Sequence, residues 1–201
     1  PMTDNMQVEG LLRAPRLSGD YGALQSALND WLGESAQLKY PMQGELLSPF
    51  LLQDLDGDGE QDAAVLYTTA QSSNVCIAFL QRDAAGAWKV QQTIEGLADT
   101  VDNVRLAQLQ DGNAVQLVVG YLAAQGDSYL AVYSYEHGEV NAILEQSYEQ
   151  YLVEDITVGR QVLRLRLGGV GPGSGWPALS GAGRLDRHFR QQSGHGAPAL
   201  R

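Results

Sequence analysis

Cysteine is nearly missing from this chain: Cys76 stands alone among 201 residues. No internal disulfide can form, and Cys76, set in the apolar stretch "NVCIAFL", reads as a small core residue rather than a catalytic thiol. Histidine is scarce too. His137, His188 and His195 are scattered without metal-ligand spacing, which leaves zinc short of its usual ligands. His137, in "EHGE", reads as a surface residue at a hairpin tip. Basic residues are few: 13 Lys and Arg against 24 Asp and Glu give a net charge of -11. That balance argues against nucleic acid or an anionic membrane surface as partner, and the basic-plus-aromatic pattern of a nucleic-acid binder is missing. No apolar run reaches transmembrane length and no secretory leader pattern is visible, neither of which fixes a compartment. There is no G-x-S-x-G elbow, and "GVGPGSG" lacks the lysine of a phosphate loop.

What is present is enough apolar material for a core, 44% of residues, in a length suited to one domain. Residues 1–18 read as an irregular lead-in. Residues 20–33 then place Leu24, Ala27, Leu28, Trp31 and Leu32 on one helical stripe, with Ser18 or Asp20 as cap and Gly33 as stop. Trp31 is expected to act as a packing anchor of that stripe.

Beyond the helix the pattern turns to strands. Ten short runs alternate with Gly, Asp and Asn turns: "LLSPFLLQ", "DAAVLYTT", "NVCIAFLQR", "AWKVQQTI", "NVRLAQL", "VQLVVGYL", "YLAVYSY", "EVNAILEQ", "YLVEDIT" and "QVLRLRL". This predicts an all-β architecture of antiparallel strands with one N-terminal amphipathic helix. Trp88 is expected to pack at the base of a hairpin. Tyr129, Tyr133 and Tyr135 share one strand face, expected to be half-exposed strand packing, with a sugar-stacking surface as the alternative.

The runs repeat. "DLDGDGEQDAAVLY" (54–67) lines up with "QLQDGNAVQLVVGY" (108–121), and a third unit begins at "YLVEDITVGRQVLRLRL" with Asp155 in the place of Asp54. Offsets are 54 and 47 residues, with about four strands per unit, the size of a propeller blade. The organisation is then 1–40 lead-in and helix, 41–167 about two and a half β repeats, and 168–201 a tail. That tail holds nine glycines, four arginines and one acidic residue. It reads either as disordered or as a stretch translated out of frame, since shifted GC-rich codons yield Gly, Ala, Arg and Pro.

The sharpest signal is residues 54–62, "DLDGDGEQD", with five acidic side chains in nine residues and no lysine or arginine among them. Asp54, Asp56, Asp58 and Asp62 occupy positions 1, 3, 5 and 9, and Gly57 and Gly59 supply the bend. Alternate residues of a tight turn can point inward together, and Glu60 would add its backbone carbonyl. The result is an oxygen cage suited to calcium, which takes six to eight oxygen ligands at about 2.3–2.6 Å. Magnesium fits less well, because it prefers few protein ligands and keeps its waters. Without the ion the aspartates repel and the loop should be loose; with it, binding energy becomes folding energy. An EF-hand is excluded because position 12 is Val65, inside an apolar strand. A catalytic carboxylate pair and an ion-free polar hairpin turn are the other readings.

D-x-D-G-D-G-x-x-D followed directly by an apolar strand resembles the FG-GAP or VCBS repeat, the calcium-loop unit of integrin alpha-chain propellers. The likeness is close over Asp54–Asp62 and loose over 46–167. "LKYPMQGELLSPFLLQDLDGDGEQDAAVLY" also resembles secreted lipoprotein-like proteins of clostridia that carry this repeat. The resemblance implies β-propeller-like blades, calcium in the loop and a place outside the cytoplasm, with membrane attachment only through a lipid anchor upstream. The second unit departs from the pattern, with Gln108, Gln110, Asp111 and Asn113, and the third offers only Asp155 and Thr157. One calcium per chain is therefore expected, in an open or incomplete propeller, since a closed ring needs four to eight blades. The leading functional expectation is a non-enzymatic extracellular calcium-binding module that mediates protein or glycan interaction. The alternative is an accessory or catalytic part of a secreted polysaccharide-acting hydrolase.

Overall fold

The structure, a computed structural model, describes residues 19–157, 160–167 and 178–179. The lead-in 1–18 lies outside the described residues, as does all of the 168–201 tail except Ala178–Leu179. The elements are α1 (Gly19–Leu32), β1 (Gln37–Leu38), β2 (Phe50–Gln53), β3 (Asp62–Thr68), β4 (Cys76–Arg82), β5 (Trp88–Glu95), β6 (Thr100–Ala107), β7 (Gln116–Leu122), β8 (Ser128–Glu136), β9 (Glu139–Ser147), β10 (Gln150–Thr157), β11 (Arg160–Arg166) and β12 (Ala178–Leu179). The chain is mostly β, in antiparallel sheets, with one helix among the described residues. All ten sequence-predicted runs contain a strand.

Each repeat builds its own sheet. β2, β3, β4 and β5 form the first, with β1 added beside β3; β6, β7, β8 and β9 form the second; β10, β11 and β12 form the third. The repeat extends to an irregularity. A register shift falls between Phe79 and Leu80 opposite β5, and another between Val132 and Tyr133 opposite β9. In each case the outer strand carries one extra residue, Gln91 or Ile143, which bends and twists the sheet at the same place.

The sheets stack face to face, which explains the composition of their central strands. Ala63, Val65 and Tyr67 of β3 meet Leu24 and Leu28 of α1. Ala64 and Leu66, on the opposite face, meet Leu117, Val119 and Tyr121 of β7. Val118, Leu130 and Val132 on the far side of the second sheet pack on Leu163 and Leu165 of β11. β3 and β7 are thus buried on both faces, and each reads as a continuous apolar run rather than an alternation. Each large aliphatic or aromatic side chain so buried contributes about 1.5–3 kcal/mol. β9 has solvent on much of its length and alternates instead.

Two expectations about aromatic residues are corrected. Trp31 is 56% exposed and is not a packing anchor. α1 lies against the outer strand β5, so only the narrow line of Leu24 and Leu28 is fully inserted. Trp31 instead flanks a surface groove with Asp30, Arg82 and Trp88. Tyr133 and Tyr135 are each 2% exposed, inside the core between the first two sheets, so they form no sugar-stacking surface. The stacking of a second apolar sheet on their face, invisible in one strand's pattern, is the reason. Trp88 packs at its hairpin base as expected, with the Arg82 guanidinium 4.2 Å from its ring centroid. His137 lies at the tip of the β8–β9 hairpin with φ 53°, followed by Gly138 at 82°, the two positive values of a tight hairpin turn.

Candidate metal centre

The acidic loop joins β2 to β3, whose register from Phe50↔Val65 to Gln53↔Asp62 brings the loop's two ends together. Within it, Asp54, Asp56 and Asp58 place carboxylate oxygens within 4.8 Å of one another. This exposed-to-half-buried cluster can hold a metal ion. Among the described residues, no lysine or arginine forms an ion pair with the loop.

The loop's backbone wraps around these carboxylates. Asp54 accepts from Gly57 N (2.7 Å, Oδ1) and Gly59 N (3.0 Å, Oδ2). Asp56 Oδ1 accepts from Asp58 N at 3.2 Å, and Asp58 Oδ1 from Glu60 N at 2.7 Å. These donors offset part of the mutual repulsion of the aspartates. Glu60 is exposed, and its amide rather than its carboxylate engages the loop.

Asp62 stands apart from the three-carboxylate group. It is 1% exposed, and its Oδ2 accepts from Leu55 N at 2.9 Å and Asp56 N at 3.4 Å. It therefore ties the start of the loop to the start of β3. Gln81 of β4, which the sequence did not single out, donates from Nε2 to Asp56 Oδ2 at 3.2 Å. Burial pushes the Asp56 carboxyl above its usual 3.8, opposed by the Asp58 amide and reinforced by Asp58 and Asp54. Burial likewise raises Asp62, opposed by the Leu55 amide and by Gln81.

The second unit repeats the frame with an amide in place of the anchoring carboxylate. Gln116 occupies the place of Asp62 and is fully buried. Its Oε1 accepts from Leu109 N at 2.8 Å and Gln110 N at 3.3 Å, the same two backbone donors within 0.1 Å. Its Nε2 then donates to Gln110 Oε1 at 3.2 Å, where the first loop sets Asp56 near Asp62. In the third unit, Asp155 lies within β10 and accepts from Gln161 Nε2 at 2.8 Å.

The first two loops also touch. Leu55 O accepts from Val115 N at 3.0 Å. Gly57, at φ +80°, comes so close that an added Cβ would lie 2.8 Å from Ala114 N and 2.9 Å from the Asn113 carbonyl carbon. Glycine is therefore required at position 57 both for its dihedral and for the approach of a neighbouring backbone.

No protein-family model, no curated protein and no solved structure matches this chain.

Proposed function

We propose that the chain is a calcium-stabilised, non-catalytic β-repeat module of the FG-GAP/VCBS kind, an open arc of propeller-like blades. The observation that carries this reading is the convergence of Asp54, Asp56 and Asp58 with no basic partner among the described residues. A hard cation with oxygen preference suits such a set, and the loop's curvature around several carboxylates favours calcium over magnesium. The buried Asp62 anchor and the backbone carbonyl of Glu60 complete the ligand set we assign, together with water.

The open-arc reading is supported by the stacking order. Consecutive antiparallel sheets, of five, four and three strands among the described residues, lie face to face, as blades do. The outer face of the first sheet is covered by α1 through Leu24 and Leu28, so no further blade can stack there. The helix acts as the terminal cap of a repeat array. A non-catalytic role accords with Cys76, whose thiol is pushed up by burial and is thus a poor nucleophile near neutral pH. The placement outside the cytoplasm follows the resemblance, and calcium sites of modest affinity, roughly 10⁻⁴ to 10⁻³ M, fill only there. The module's task is to present a rigid surface to a protein or glycan.

Thermal melting tests the reading. Calcium in the millimolar range should raise the midpoint by several degrees relative to chelator, and magnesium should raise it far less. Equal midpoints in calcium and chelator would refute it.

A further inference from the structure

Strand β8 carries two buried tyrosines that face the first sheet, and they differ in one respect. The Tyr133 hydroxyl is paired with the Tyr121 hydroxyl at 3.2 Å. The Tyr135 hydroxyl is fully enclosed and has no hydrogen-bond partner among the described residues. Buried polar groups are almost always paired, so an orphan of this kind calls for a ligand or water.

Its position indicates which. β7 and β8 pair with Leu117 opposite Tyr133, so Tyr135 lies level with Val115, whose amide bonds to Leu55 O in the acidic loop. The Tyr135 ring stacks on Phe79 of β4 at 5.4 Å. Two residues along the same face of β4 is Gln81, which is bonded to Asp56. The hydroxyl thus lies at the end of the sheet interface that abuts the loop. Consistently, after burial itself, the carboxylates of Asp62, Asp56 and Asp58 are the charges that push its pKa up.

We propose that the Tyr135 hydroxyl is the second sheet's contribution to the cation site, bonded to water carried on the ion. This rests on the cation reading above. Calcium takes six to eight oxygens, and positions the loop leaves open are filled by water. Such water is a strengthened donor, and a phenol oxygen can accept from it. Filling the loop then satisfies an orphan on the neighbouring sheet, so the ion staples two repeats rather than ordering one turn. Tyr135 is a positioning residue here, not a direct ligand.

The test is calcium titration calorimetry on the full chain and on Tyr135→Phe, which keeps the ring and its stacking on Phe79. Tyr135→Phe should weaken calcium binding about 10-fold with unchanged stoichiometry, the cost typical of a lost outer-shell partner. Its ion-free melting point should not fall, because the lost hydroxyl has no partner there. Tyr133→Phe, the control, should leave affinity within about twofold. Equal affinity in Tyr135→Phe and wild type would overturn the inference while leaving the calcium site standing. No calcium binding in wild type would overturn both. A second readout needs no variant: calcium should perturb the tyrosine ultraviolet difference spectrum of wild type, and a flat spectrum at saturating calcium contradicts the proposal.

Discussion

The loops at 54–62 and 108–116 make the same turn by different chemistry. In both, a buried side-chain oxygen at the ninth position catches the second and third backbone amides, from Asp62 in one and Gln116 in the other. The fold of the turn therefore requires an acceptor there, not a charge. What separates the loops is the side facing away from the backbone. Gln116 brings its own donor and closes onto Gln110. Asp62 brings only acceptors, and so does Asp56, with the Gln81 amide as a neutral donor between strands. A carboxylate set with few donors leaves acceptors that a cation can take; an amide pair supplies both donor and acceptor. On the proposed reading, a cation site can thus be lost from a repeat without loss of the turn.

The strongest way to break this comparison is to remove the shared acceptor. Asp62→Ala and Gln116→Ala should each leave two interior amides unpaired and cost about 3 kcal/mol in urea unfolding. Asp62→Asn keeps an acceptor and should cost about 1 kcal/mol in chelator. If Asp62→Asn proves as damaging as Asp62→Ala, the ion-free turn depends on charge after all.

Next is the contact between the loops. Gly57→Ala should destabilise by about 2 kcal/mol, because a positive φ and a backbone neighbour both oppose the new methyl. Gly59→Ala has the same sign of φ, +92°, but open space around it, and should cost about 1 kcal/mol. Equal losses would mean that backbone strain alone matters at position 57.

The smallest effect, and the most specific, is pH dependence. In chelator, Asp56 and Asp62 titrate above the ordinary 3.8, so the folded chain holds their protons more tightly than the unfolded chain. Their contribution to stability therefore rises as pH falls through the folded values toward 3.8. Bound calcium favours the ionised form and reverses the sign, so stability is lost on acidification. The gap between melting curves in calcium and chelator should close as pH drops from about 7 to about 4. Replacing Asp56 and Asp62 together by Gln, in imitation of Gln110 and Gln116, should abolish that gap at every pH while leaving ion-free stability intact. A persistent gap in the double variant would show that Asp54 and Asp58 suffice for the ion.

Much of this was legible in the residues. Period and turn chemistry located the ten longer strands, because most are apolar or alternating runs set off by Gly, Asp or Asn turns. The helix and its Gly33 stop followed from spacing, and Gly33 does end it, at φ +70° with its amide on Asn29 O at 2.9 Å. Two-residue β1 was missed, since its pairing with Thr68 and Tyr67 of β3 is set by tertiary contact rather than local pattern. The aspartate cluster was visible as a spacing, but Gln81 was not, because it reaches the loop from a strand distant in sequence. Spacing marks Asp62 only as a candidate ligand; that its Oδ2 also holds the Leu55 and Asp56 amides is seen only in the fold. Alignment of 54–67 with 108–121 put Gln116 in its place, and that substitution was the available clue to the anchoring role.

Calorimetric titration of the wild-type chain with calcium bears most directly on the comparison. The first loop should take one ion and the second none, with one binding event per chain that Asp54→Asn or Asp58→Asn removes. No heat of binding, or two equivalent events per chain, would contradict the account.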